Sequence, residues 1–480
     1  MNLQNATILA AAAGLLAIQT AAAQDAKTVI ENAQKAMGTL KTVEYSGSGS
    51  DFVLGQAFNP SSPWPRFNDK SYTRSINFDQ PASKMHRVRT QYNDPPRGGG
   101  LQPIFGERPE DQVIVVGPIT PWAQQLEIVL MPQGFLNAAA KSNATVKSQS
   151  VGGKKYQVVT FIAPNKAPVM GYINAQNLVE KVSTRIDNPL LGDLPWEADF
   201  ADYKSVNGVQ FPMHIVQNEG GYPILDLNVA DVKVNGPVDI QAPAAPPAVP
   251  LAQAKKLAEG VFLITGAYQC LAVDFKDYIV VIEGPQSEAR GLAVIEQAKA
   301  AIPGKPIKYV INTHNHIDHS SGLRPFVAEG AIVVTHAINK PYFERVWKDP
   351  HTLNPDRMAM SGKKPKFDTF TETKVMTGGG HTIELHHVTG SMHNEGMIMA
   401  WLPQEKILVE ADEFNVPPQR PTATPNPVHP YHPHFLELLD SLKIDPQQII
   451  PIHAPADGRT VTKAELLIMA GKTAQTAQVR

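Results

Sequence analysis

The segment INTHNHIDHSSG, Ile311–Gly322, places His314, His316, Asp318 and His319 within six residues. It continues the apolar run IKYVINT, which reads as a buried strand, and α/β folds carry ligand and catalytic groups at the carboxyl ends of such strands. Alternate residues of an extended segment share a side, so His314, His316 and Asp318 point one way. A turn at Asp318-His319 swings His319 toward the same centre. Imidazole and carboxylate suit a borderline divalent ion such as Zn²⁺, and two ions can share the loop if further ligands arrive from elsewhere.

The surrounding region supplies candidates for those ligands. Strands alternate with helices through GVFLITG, YIVVIEG, a helix over SEARGLAVIEQAKAA, IKYVINT and AIVVTH, a pattern that argues for α/β layers. Three later strands border a single ligand-type residue. His393 lies in a Gly-rich turn before MIMAWL, Asp412 follows KILVEA, and His453 ends QQIIPIH.

With these residues in place, the chain from about Lys255 to the C-terminus resembles the metallo-β-lactamase superfamily of binuclear hydrolases. The resemblance runs through H-x-H-x-D-H at His314 to His319, G-x-x-H at Gly390 to His393, LVEAD ending in Asp412 and PIH ending in His453. It implies an αββα sandwich, two sheets between helical layers with the site at one edge. It also implies two zinc ions, with Mn²⁺ or Fe as alternatives. His314, His316 and His393 would hold one ion, Asp318, His319 and His453 the other, and Asp412 would bridge them. Asp318 would orient a hydroxide shared by the ions, which attacks the substrate. Two departures touch the surroundings of the ligands: Glu283 stands where relatives often carry Asp, putting the bracing of the metal loop in question, and Ala411 replaces the usual Gly before the bridging Asp.

Within that superfamily, Asp412 argues against a dedicated β-lactamase, His316 against the iron oxygen chemistry of flavodiiron members, and the charge balance against nuclease branches. What remains is a hydrolase of a small ester, lactone, phosphotriester or sulfate ester. A β-lactamase-type amide hydrolase, or a non-catalytic binding protein with the metal domain as scaffold, is the alternative.

A formal net charge of -2 gives no basis for nucleic-acid binding, which needs clustered Lys and Arg. Residues 1–24 carry an apolar run, Ala6 to Ile18, and an A-x-A site at Ala21-Ala22-Ala23, the pattern of a cleavable signal peptide. The run is shorter than the ~20 residues needed to span a bilayer, so no stable membrane insertion is expected and the mature chain is expected in the periplasm or outside the cell. Cys270, the single cysteine, sits in an apolar strand and reads as an inert buried thiol.

Residues 25–236 read as one short helix, 25–38, followed by a mostly antiparallel sheet. Gly152-Gly153 and Asn207-Gly208 mark hairpins, and Leu225, Leu227 and Val229 alternate with polar residues. The order of elements is similar to periplasmic lipoprotein-carrier half-barrels. The simpler expectation is a sheet that packs on the second domain and shapes its cleft. No acid, base or metal cluster stands out in this half. A Pro/Ala-rich linker, 237–254, separates it from the metallo-β-lactamase-like domain, 255–480.

Of the other histidines, His429, His432 and His434 in NPVHPYHPHF are expected in a Pro-rich loop over the cleft, with Tyr431 or one of them near the leaving group. His336 is a candidate for facing the site; His381, His386 and His387 read as structural or surface groups. Thr462 and Glu465 form a capping-box pattern for a final helix.

Overall fold

The computed structural model describes residues 25–242 and 252–472. The proposed signal segment and half of the linker, residues 243–251, lie outside these residues. Strand structure resumes at Ala254–Ala258.

Residues 25–37 form the expected helix, which turns Ala26, Ile30, Ala33 and Met37 inward. These side chains share a core with one eleven-stranded antiparallel sheet. The hairpin at Gly152-Gly153 joins Thr145–Val151 to Lys154–Ile162. Asn207 and Gly208 both take the positive φ that a tight two-residue hairpin requires. Leu225, Leu227 and Val229 face the core along Tyr222–Val234. The expectation of a single helix is corrected: Trp122–Val129 and Pro132–Ala140 are helical as well. They bury Leu126, Ile128, Phe135 and Leu136, so tertiary packing completes two short apolar segments that lack the length to signal themselves.

A second correction concerns charge. Asp51, Arg87, Arg89 and Glu110 come together from three of the four neighbouring strands at one end of the sheet. Arg89 Nε donates to Asp51 Oδ1 at 2.9 Å, Arg87 meets Asp51 at 3.1 Å, and both arginines reach Glu110 at 2.8 Å. The residues are far apart in sequence, and only strand pairing makes them neighbours. The network fixes the end of the strand Thr42–Phe52, from which a loop leaves toward the other domain.

The C-terminal part is a sandwich of two mixed sheets, one of seven strands and one of five. Val261, Val280, Ile311 and Val334 from the first meet Ile383, Ile398, Val409 and Ile450 from the second in a dry middle layer. The helices Glu288–Ala301 and Arg324–Glu329 cover the outside of the first sheet. Tyr431–Ser441 and Lys463–Met469 cover the second. Ser287 caps its helix by accepting from the Arg290 amide at 3.2 Å. Cys270 is buried in the sandwich, and burial pushes its thiol up to about 12. No helix among the described residues is long and apolar enough to cross a membrane.

The capping box at the last helix does not form. Thr462 makes no side-chain cap, and the buried Glu465 carboxylate instead accepts from Arg459 at 2.9 Å and pairs with Arg420 at 3.2 Å. Charge-assisted bonds to two guanidinium groups outweigh a neutral cap.

Candidate metal centre

The strand Ile307–Ile311 ends at the quoted loop, where Asn312 to His316 are buried and extended before the short helix Ile317–Ser320. The turn of that helix brings Asp318 and His319 back over the strand end. His393 comes from the turn before Ile398–Leu402, Asp412 follows Ile407–Glu410, and His453 follows Gln448–Pro451.

The fold thus gathers all seven side chains at one edge of the sandwich. Three overlapping groups, His314/His316/His393, His314/His319/Asp412 and Asp318/His319/His453, each have ligand atoms within 4.8 Å of one another. His316 Nδ1 faces His393 Nε2 at 2.9 Å, and His319 Nε2 faces His453 Nε2 at 3.1 Å. Asp412 lies among four imidazole nitrogens: Oδ2 is 3.0 Å from His319, 3.5 Å from His314 and 3.6 Å from His393, and Oδ1 is 3.0 Å from His453. The side opening to solvent is that of His453 and Asp318, whose side chains are 43 % and 25 % exposed.

Electrostatics suit these residues to cations. Burial holds the imidazoles of His314 and His393 well toward the neutral form, and with His393 alongside it lowers His316 to about 3. His319 is the exception: burial opposes its charge, but Asp412 and Asp318 outweigh burial and raise its pKa well above the ordinary value. Both carboxylates, which burial alone would neutralise, are held ionised chiefly by His319. The charged form of His319 is thus favoured between Asp318 and Asp412, within a His/Asp set that could hold a metal ion.

The ring orientations are set from behind. Buried Glu283 accepts from Thr313 Oγ1, from Asn312 Nδ2 at 3.3 Å and from its neighbour Gly284 N at 3.2 Å, with His319 Nδ1 at 3.3 Å. Glu in place of Asp thus leaves the metal loop braced. Such partners orient metal-ligating imidazoles and raise their basicity. Ala411 is buried in the middle layer.

Several contacts are absent from any sequence signal. Tyr268 donates to Asp318 Oδ2 at 2.9 Å and stacks near His453. From the N-terminal domain, Gln56 Nε2 donates to Asp318 Oδ1 at 2.8 Å, His316 Nε2 donates to Ala57 O at 2.8 Å, and Gly99 lies beside both Gln56 and His316. Gln56 and Asp318 are 262 positions apart, which is why local motifs miss them.

His336, His432 and His434 are placed differently from expectation. His336 bonds Thr371 O at 2.9 Å and stacks on His387, with no ligand atom in the cluster. His432 and His434 belong to the helix Tyr431–Ser441, not to an overhanging loop. Pro430 and Pro433 fall at the start of that helix, where a missing N–H costs nothing. His432 is buried against Phe414, and His434 meets Glu413 at 3.3 Å. His429 does reach across to the first domain, at 3.3 Å from Gln102 O, and Tyr431 brings its ring to 6.1 Å from His393.

Residues 283–453 match the family model described as metallo-beta-lactamase superfamily, a span that holds Glu283 and all seven cluster residues. The C-terminal domain is a metallo-β-lactamase superfamily domain. Solved structures similar to the chain include the DIM-1 metallo-β-lactamase, at 18% identity and TM-score 0.35 over 48% of this chain and 100% of that one. The mono-zinc form of FIM-1 from Pseudomonas aeruginosa is similar at 17% identity and TM-score 0.35, over 49% of this chain and 99% of that one. A metallo-β-lactamase from Pontibacter korlensis covers 68% of this chain and 98% of its own, at 14% identity and TM-score 0.31. Among curated proteins no match is found. The metallo-β-lactamase domain therefore carries a His/Asp cluster able to bind metal, joined at its mouth by residues of the domain before it.

Proposed function

We propose that the protein is an exported metal-dependent hydrolase holding two Zn²⁺ ions, with Mn²⁺ or Fe as possible replacements, and acting on a small ester, lactone, phosphotriester or sulfate ester. The observation that carries this reading is an unpaired buried ligand atom within the cluster. His314 Nε2 is buried without a hydrogen-bond partner, and the nearest groups to Asp412 Oδ2 are imidazole nitrogens, 3.0 Å away on His319 and 3.5 Å away on His314. Orphaned buried polar atoms are costly, and a coordinated cation satisfies them.

His314, His316 and His393 would hold one ion, Asp318, His319 and His453 the other, with Asp412 between. Bound there, the pair of cations supplies an activated water with its pKa lowered toward ~7 and Lewis-acid polarisation of the scissile group. The chain's own contribution is orientation. Tyr268 and Gln56 each donate to one oxygen of Asp318, fixing the carboxylate that faces the solvent opening and can accept a proton from the attacking water. The closed wall behind Asn312 to His316 confines attack to the His453 side.

Residues 1–24 would direct export, and the partner is a small molecule, with no role for nucleic acid. A panel of chromogenic ester, lactone, phosphotriester, sulfate and cephalosporin substrates tests the reading on full-length mature protein. Turnover of one of the first four classes, lost with a chelator and restored with zinc, is expected. Turnover of the cephalosporin alone would favour an amide hydrolase. No turnover by a fully metal-loaded protein would favour a non-catalytic scaffold.

A further inference from the structure

The loop that leaves the first domain after Phe52 is bound to the metal loop along its length. Ile317 N donates to Gly55 O at 3.2 Å, His316 Nε2 to Ala57 O at 2.8 Å, and Glu395 N to Phe58 O at 2.8 Å. Gly55 has φ +70, and a Cβ there would fall 2.8 Å from Cβ of Ile317, so the approach requires glycine. A second loop closes behind it: Gly99 N donates to Gln56 O at 3.0 Å, and Gly98 N to Met392 O at 3.0 Å beside His393. Any Cβ on Gly99 would fall on Gln56 Oε1, so Gln56 is held from both sides. The buried Asp51, Arg87, Arg89 and Glu110 network anchors the strand from which the first loop springs.

These contacts act on ligand atoms. The Ala57 carbonyl accepts a hydrogen bond from Nε2–H of His316, the tautomer that leaves Nδ1 unprotonated and directed at His393 Nε2. Gln56 holds Asp318 Oδ1 while Tyr268, of the other domain, holds Oδ2. We infer that Gln56 is a positioning residue for the ion on the Asp318 side, and that the N-terminal domain is a structural part of the metal centre.

The inference rests on the two-ion reading above and predicts a selective effect. Partners of this kind typically contribute 10 to 100-fold, roughly, in metal affinity. Asp318 groups with His319 and His453, not with His314, His316 and His393. Gln56→Met keeps the length of the side chain and removes the donor; Gln56→Ala removes both. Asp193→Asn serves as control, because Asp193 ties the domains together elsewhere, accepting from the Thr352 and Leu353 amides at 2.9 and 3.1 Å.

The test is zinc affinity of the full chain by chelator competition, with folding checked by thermal melting. Both Gln56 variants are expected to bind one of the two ions roughly 10 to 100-fold more weakly and the other unchanged, while Asp193→Asn binds both normally. Folded Gln56→Met with both ions at native affinity would overturn the inference, as would equal weakening of both ions by Gln56→Met and Asp193→Asn. A native chain that binds no zinc would instead overturn the metal reading itself.

Discussion

Asp412→Ala is expected to cost the protein both metal ions and at least about 100-fold in hydrolytic rate, more than outer partners alone contribute. The carboxylate stands between the two ligand groups, 3.0 Å from His319 and His453 and 3.5–3.6 Å from His314 and His393. Among the described residues, the candidate metal groups hold one further carboxylate, Asp318, which groups with His319 and His453 alone. Asp412 is also, ahead of Asp318, what raises His319 above its ordinary pKa, so its loss takes away the larger of the two charges that offset burial of that imidazole. Elemental analysis of the purified variant, beside its rate on the substrate identified by the panel, measures both effects. Asp412→Ala retaining two tightly bound ions would show that the bridging position is elsewhere.

Glu283→Ala is expected to be the most destabilising single change near the site, by about 3–5 kcal/mol, the usual cost of removing one partner from a buried charged network. Glu283 is fully buried, and its loss strands His319 Nδ1 and leaves Thr313 Oγ1 and Asn312 Nδ2 each short of one buried partner. The backbone there has φ +80, a conformation costly for a residue with a Cβ and sustained by these bonds. Denaturant unfolding of chelator-treated protein separates this effect from metal loss. A change below about 1 kcal/mol would mean that the metal loop is braced by something other than Glu283.

How far the sequence carries the reader differs between the two domains. In the second, His314, His316, Asp318 and His319 are local, and the ends of apolar strands mark His393, Asp412 and His453. Strand and helix periodicity gives α/β layers, the family resemblance gives their αββα arrangement, and the family match supports it. In the first domain, hairpin glycines and alternation reveal the antiparallel sheet, but its ion network and its contact with the site depend on strand order, which periodicity does not encode. Gln56 looks like any polar loop residue until the fold brings it to Asp318. The capping pattern at Thr462 shows the converse: a correct local signature loses to a distant pair of arginines.

The measurement that bears most directly on the two-ion reading is calorimetric titration of zinc into metal-stripped protein at pH 7, repeated in buffers of different ionisation enthalpy. Neutral His314, His316 and His393 need lose no proton on binding. His319, held protonated by the two aspartates, must lose one, so zinc affinity is expected to rise with pH up to its raised pKa and level off above it. Two ions per chain with release of at least one proton is the predicted result. One ion or none, or two bound with no proton released, would contradict the assignment of His319 and its partners as a binuclear site.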